Sequence, residues 1–436
     1  MEHLLEADAR FVWHPFSRQK SKAPIVPVAR GKGSLLFDEQ GNPFVDAISS
    51  WWVTIHGHAH PYIAERIYNQ ALTLEQVIFA GFTHRPAVEL AARLIPLLPG
   101  NFSKVFYSDN GSTATEVALK MAVQYWWNKS REHGVPPRTR ILAFRNSYHG
   151  DTFGAMSVSE RSVFTMAFHP LLLEVDFIDT PTPENIGELR AFLEKEGDAI
   201  AAFIYEPLVQ GAGGIMMYEA GLLNQLLSLA HEKEIICIAD EVMTGFGRTG
   251  TLFASEQVAE KPDIICLSKG LTGGTMALGA TVCSEKVYSA FVHDDALRTF
   301  FHGHSFTANP LACTAALASL ELFEKENTLK AVENIVFANR NFLPELELFV
   351  KKGLIRSPRI CGTILAFELT SSAPDGYLNP IGQYITEEAM LLGVYLRPLG
   401  NTMYIMPPYC ITKEELRKVY DTMLSLLKKL DGSQHG

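Results

Sequence analysis

Two short apolar runs, Ile235-Ile236-Cys237-Ile238-Ala239 and Ile264-Ile265-Cys266-Leu267, lead into residues that water normally keeps: Asp240 follows the first and Ser268-Lys269-Gly270 the second. Continuous runs of this length read as strands buried on both faces, the pattern of a parallel sheet. The C-terminal ends of such strands form the edge where an open α/β sheet binds ligands. Lysines mostly stay in water. A lysine that closes a buried strand and precedes Leu271-Thr272-Gly273-Gly274 is therefore poorly explained as surface. A partly desolvated ammonium loses its proton more easily and can then attack a carbonyl.

The rest of the chain supports such a sheet. Strand-like runs at Val105–Tyr107, Ile141–Phe144, Val175–Ile178, Ala201–Tyr205, Ile235–Ala239, Ile264–Leu267 and Ala280–Cys283 alternate with helical stretches. This predicts an α/β protein whose large domain, residues 61–315, holds a mainly parallel seven-stranded sheet between helices. Beyond it the pattern changes to helix, short strands and a final amphipathic helix from Lys413 to Leu430, which predicts a smaller α+β domain over 316–436. Residues 1–60 read as irregular apart from a hairpin over Ser34–Val45, and are expected to complete that smaller domain.

Composition excludes several classes of function. A net charge of −10 over 436 residues gives no electrostatic case for nucleic acid. No apolar run reaches the roughly 18 residues of a membrane span. The acidic start, Met1-Glu2-His3-Leu4-Leu5-Glu6, lacks the order of a signal peptide. Six scattered cysteines with no Cys-x-x-Cys pair suit a reduced, cytoplasmic protein. No metal is expected either. The run His56-Gly57-His58-Ala59-His60 has no acidic or sulfur ligand near it in sequence, and it reads as a turn packed under Trp51-Trp52.

An acid and a lysine at neighbouring strand ends are what pyridoxal phosphate requires: an amine to bind its aldehyde and a carboxylate to keep its pyridine nitrogen protonated. A phosphate site is available at Ser108-Asp109-Asn110-Gly111-Ser112, where a turn feeds a long helix whose N–H groups and dipole attract an anion. A serine N-cap with no ligand fits the same residues. Gly245-Phe246-Gly247-Arg248-Thr249-Gly250 matches a dinucleotide fingerprint, but it does not stand directly on a strand end, and Lys261-Pro262 interrupts the stretch where a helix would have to run. A nicotinamide oxidoreductase is the lesser reading.

Asp240-Glu241-Val242-Met243-Thr244-Gly245-Phe246-Gly247-Arg248-Thr249-Gly250, then Pro262-Asp263, then Ser268-Lys269-Gly270, resembles the signature of the class III pyridoxal-phosphate aminotransferases of fold type I. More narrowly, Trp13-His14-Pro15-Phe16, Ser49-Ser50-Trp51-Trp52, Tyr148 to Met156, Val209 to Gly214, Leu271 to Thr275 and Arg397-Pro398 resemble the branch of that family that serves biotin synthesis. That resemblance implies amino transfer from S-adenosylmethionine to 8-amino-7-oxononanoate. The run Phe300-Phe301-His302-Gly303-His304-Ser305 and Phe16, which stands where a tyrosine is usual, look like a branch that takes lysine as donor. Other ω-aminotransferase activities, on a diamine, an ω-amino acid or ornithine, are the further alternatives.

The resemblance also implies roles. Lys269 would bind the cofactor covalently and shuttle the proton, with Asp240 and Tyr148 completing the catalytic set. Asp240 would pair with the pyridine nitrogen, Val242 and Tyr148 would cover the two ring faces, and Gly111, Ser112 and Ser305 would hold the phosphate. Ser305 and Gly303 would act across the interface of a homodimer with composite sites. Phe16, Trp51, Trp52, Gly303, Arg248 and Arg397 would bind the small-molecule substrates, with Arg397 taking the keto substrate's carboxylate. Glu206 and Arg248 would form either a switch that opens for carboxylates or a structural ion pair.

Overall fold

The structure, a computed structural model, describes residues 2–20, 25–134 and 136–433. The chain divides into two compact units: Tyr62–Val336 with Cys361–Thr363, and Met1–Pro61 with Phe337–Ile360 and Ile364–Gly436.

The larger unit is built on a seven-stranded sheet. Its strands are β1 (Phe102–Ser108), β2 (Arg140–Phe144), β3 (Asp176–Ile178), β4 (Ile200–Tyr205), β5 (Ile236–Asp240), β6 (Ile264–Leu267) and β7 (Gly279–Ser284), in the order β1-β7-β6-β5-β4-β2-β3. Only β7 runs against its neighbours, β1 and β6; the other pairings are parallel. Every residue of β4, β5 and β6 is buried, as a sheet covered on both faces demands. Helix α1 (Gly111–His133) supplies one cover, packing Ala114, Val117, Ala118, Met121 and Ala122 with Ile204, Ile238, Ile264 and Cys266. Each large aliphatic buried this way contributes about 1.5–3 kcal/mol. The β5–β6 register sets Asp240 beside Cys266, so the acid and the turn carrying Lys269 emerge at the same sheet edge.

Helix α2 (Pro310–Lys325) departs from expectation. The sequence pattern hands the chain to the smaller domain at residue 316, yet Ala315, Ala318 and Leu322 pack with Ile63, and the unit boundary falls at Val336. The helix is apolar on most sides, so it needs cover all round and stays with the larger unit.

In the other unit Leu35–Asp38 pairs antiparallel with Pro43–Asp46, as the hairpin pattern predicts, and the Asp38 carboxylate accepts the N–H groups of Gln40 and Asn42 to tie the turn. Val394–Tyr395 adds to Pro43–Asp46 in parallel, so chain from both ends shares one sheet. A second sheet joins Ile355–Cys361, Ile364–Leu369 and Thr402–Ile405. The helix Glu2–Phe11 lies where the sequence reads as irregular.

Candidate active site

Lys269 opens the turn after β6 with φ of 42°, a left-handed value that a residue with a side chain holds only when its surroundings fix it. Those surroundings are visible. The Ser268 hydroxyl donates to the Leu278 carbonyl at 2.7 Å, and the Ser319 hydroxyl to the Gly270 carbonyl at 3.3 Å. Burial lowers the Lys269 ammonium to about 8, against the opposing pull of the Asp240 and Glu206 carboxylates. Its neutral, nucleophilic form is thus within reach near neutral pH.

Asp240 is buried at the end of β5, where its Oδ1 accepts the Val242 N–H at 3.0 Å. His149 Nδ1 lies 2.7 Å from the other oxygen, and the His149 side chain is itself buried. Its backbone N–H is fixed by Ser159 Oγ at 2.8 Å. The pair orients the carboxylate while leaving it lone pairs for a second donor. In sequence, His149 stands within the motif Tyr148 to Met156 with no role of its own; its contact with Asp240 spans 91 positions.

Glu206, just beyond β4, is wholly buried and accepts the N–H groups of Tyr148 and Gly211 at 3.0 and 2.9 Å. Burial pushes its carboxyl up to about 7, with His149 pulling the other way. The Tyr148 hydroxyl is likewise pushed well above its ordinary range by burial. Arg248 is buried, and Thr363 fixes its carbonyl through an N–H bond of 2.9 Å. Both Glu206 and Arg248 stand near enough to act on the charge of Lys269.

The anion turn has a specific construction. Asn110, not Ser112, caps α1: its side chain accepts the Thr113 N–H, and Thr113 Oγ1 accepts the Asn110 N–H in return. Gly111 and Ser112 therefore occupy the first helical positions, where N–H groups have no partner within the helix. A Cβ on Gly111 would approach Val242 Cγ1 to 2.8 Å, and one on Gly150 would collide with the Ser112 hydroxyl. Both glycines let Val242 and the 148–150 loop close around the turn. The loop with Gly303 and Ser305 is anchored by Gln76 Nε2, which donates to the Ser305 carbonyl at 2.7 Å.

Residues 16–427 match the family described as aminotransferase class III. An adenosylmethionine-8-amino-7-oxononanoate aminotransferase of Synechococcus elongatus is 48% identical, covering 96% of this chain and 99% of the relative. The crystal structure of the Methanocaldococcus jannaschii protein of the same name superposes with a TM-score of 0.91 at 35% identity, covering 98% of this chain and 99% of that one. An omega transaminase of Pseudomonas jessenii, solved in complex with PMP, gives 0.89 at 27% identity over 98% of both chains. The chain belongs to the class III aminotransferases.

The family uses pyridoxal 5'-phosphate, and the residues present fit it. Lys269 is a buried amine of lowered basicity, Asp240 is a buried carboxylate oriented by His149, and Gly111, where a Cβ would not fit, opens α1, all within one unit. The glycine motif at 245–250 sits in consecutive turns followed by a short 3-10 helix, without the helix a dinucleotide turn requires. Glu241, buried beside Asp240, holds those turns by accepting the N–H groups of Ala254 and Ser255 and the Thr244 hydroxyl.

The remaining residues implied by resemblance lie in the other unit. Phe16 meets Trp51 edge-on at 5.4 Å, and the Arg397 guanidinium lies over the Trp51 ring at 4.3 Å. Trp51 is 38% exposed, whereas Trp52 is buried and donates its indole N–H to the Tyr404 hydroxyl at 2.9 Å. Of the two tryptophans, Trp51 is the one with surface to offer a ligand. Within the histidine run, His58 Nε2 lies 2.8 Å from Asp46, an acidic partner 12 positions away that the local sequence does not reveal. His231, Cys237 and Asp263 bring ligand-type atoms within 4.8 Å of one another. There, however, Asp263 already binds Lys286 and the Cys237 N–H, at 3.1 and 3.0 Å.

Proposed function

We propose that this protein transfers an amino group from S-adenosylmethionine to 8-amino-7-oxononanoate in the cytoplasm, giving 7,8-diaminononanoate for biotin synthesis. The observation that carries the reading is 48% identity, over nearly the whole of both chains, to a relative named for that reaction. Bound pyridoxal phosphate supplies an aldehyde that takes up the amino group and a ring that accepts the electron pair left on carbon. Lys269, made less basic by burial, would hold the cofactor's aldehyde and serve as the base that moves the substrate's proton. Asp240, oriented by His149, holds a proton on the ring nitrogen. Val242 and Tyr148 would cover the two ring faces, and Gly111 and Ser112 would hold the phosphate at the start of α1.

Substrate recognition is assigned to Phe16, Trp51 and Arg397, with Trp52 supporting the group from within its own unit. The guanidinium suits a carboxylate, and the ring of Trp51 suits a cationic or flat donor. Glu206 and Arg248 are buried groups able to respond to the charge of an incoming substrate. We further propose a homodimer in which Gly303 and Ser305 reach the partner's phosphate. Lysine as donor is the second reading, favoured by Phe16 and the His302–Ser305 run.

The test is a two-donor assay with 8-amino-7-oxononanoate as acceptor. Faster diaminononanoate formation from S-adenosylmethionine than from equimolar lysine supports the first reading, and the reverse order selects the second. Absence of product with either donor rejects both.

A further inference from the structure

The loop from Phe300 to Thr307 carries two histidines that the proposed reaction leaves unused. His304 Nδ1 stands 2.8 Å from Asp109 Oδ2, and both side chains are only partly exposed. Asp109 ends the turn that leads into Asn110, Gly111 and Ser112. Its backbone is held in place, since Thr113 Oγ1 accepts the N–H groups of both Asp109 and Asn110 at 3.2 and 3.0 Å. A carboxylate two positions before Gly111, at the turn that feeds the helix start, opposes binding of a dianion there.

We propose that His304 is a positioning residue for the cofactor's phosphate cradle: by pairing with Asp109 it offsets that carboxylate and slows loss of the cofactor. The proposal rests on the reading that Gly111 and Ser112 hold the phosphate. The loop is built to keep His304 in place. Its N–H donates to Thr307 Oγ1 at 2.9 Å, and the Ser305 carbonyl accepts from Gln76 at 2.7 Å. On the other side His302 packs edge-on to His304, with ring centroids 4.9 Å apart. His302 Nδ1 meets Lys120 Nζ of α1 at 3.2 Å, and its ring lies against Phe106 of β1 and against Phe300. Lys120 and Glu116 are the charged α1 side chains that act on His302.

The test measures release of pyridoxal phosphate from the holoenzyme, read as decay of the visible cofactor band during dialysis at low ionic strength. Partial exposure limits what such a pair is worth, so His304→Ala should speed release about three- to fivefold. His304→Lys, which places a permanent cation opposite Asp109, should restore slow release. In an Asp109→Asn background, His304→Ala should add nothing. Unchanged release in His304→Ala, or the same acceleration in the Asp109→Asn background, overturns the proposal. Ser112→Ala separates it from the underlying reading: if that variant releases cofactor faster while His304→Ala does not, only the role of His304 fails. If Ser112→Ala has no effect, the cradle assignment fails and the proposal falls with it.

Discussion

The residues assigned to the cofactor and those assigned to the substrate are held in different ways. Lys269, Asp240 and Glu206 leave the ends of wholly buried strands, and backbone donors or buried side chains fix them. Phe16 and Arg397 sit on loops of the other unit and Trp51 in the short kinked helix Ser49–Trp52, and Phe16 and Trp51 remain well exposed. Their support is strained backbone: Phe16, Ser49, Ser50 and Trp52 all have positive φ. The Asp46 carboxylate braces that turn through the Ile48 and Ser50 N–H groups at 3.1 and 2.6 Å. A sheet edge gives positional accuracy, which proton transfer needs. A braced loop can change its side chains without disturbing the core, which suits a choice among substrates.

The comparison breaks most sharply at Lys269. Replacing it with Ala should lower turnover at least about a thousandfold, since in the proposed chemistry one amine both holds the cofactor and moves the proton. The fold, followed by circular dichroism, should survive. Residual activity within tenfold of the parent would remove Lys269 from the chemistry. Asp240→Asn should lower turnover by about two to three orders of magnitude, roughly 3–4 kcal/mol, because an amide cannot keep the ring nitrogen charged. Stopped-flow measurement of each half-reaction checks this, and a near-parental rate would show that Asp240 only supports structure.

Asp46→Ala tests the other side. It would leave the buried Ile48 N–H, the partly buried Ser50 N–H and His58 without their acceptor, a loss of about 3 kcal/mol of stability. If the comparison holds, the surviving folded protein should lose apparent affinity for substrate while keeping its cofactor. Loss of cofactor with unchanged KM would mean the two regions are not separable.

A pH titration sharpens the account of Lys269. Burial disfavours the charged form, so its pKa falls, to about 8, and the reactive neutral amine accumulates as pH rises through that value. Cofactor uptake by the apoprotein should therefore accelerate roughly fivefold between pH 7 and pH 8 and level off above about pH 9. A midpoint near the ordinary lysine value would show that the ammonium is not desolvated in solution.

The same division governs what was legible in the sequence. The strand ends that carry Asp240 and precede Lys269, and the helix start at Gly111, are readable because they are local features, marked by apolar runs and by small polar residues. The contacts that complete the site are not local. His149 reaches Asp240 across 91 positions, and Trp52 finds Tyr404 across 352. No spacing rule in a single sequence reports such pairs. The domain boundary failed for a related reason: α2 looks like the start of a new unit until its partner, Ile63, is known. Even the cap of α1 was displaced, from the serine to Asn110, because the reciprocal bond with Thr113 outcompetes a lone hydroxyl.

The smallest expected effect lies at Phe16, and it bears on the choice of donor. Phe16 meets the exposed face of Trp51 edge-on, with the Arg397 guanidinium over the same ring. A hydroxyl added to Phe16 would join a group that already offers an aromatic surface and a cation. If this group selects the donor, Phe16→Tyr adds one hydrogen-bonding position, with a net value of about 0.5–1.5 kcal/mol. That should raise kcat/KM for S-adenosylmethionine about two- to tenfold. The rate with lysine and the visible spectrum of the resting enzyme should not change, because Lys269 and Asp240 belong to the other set. A gain for lysine instead would assign the loop group to the lysine branch. A shift of the cofactor band would show that the loop group reaches the chemistry directly, and the division between rigid and adaptable residues would have to be withdrawn.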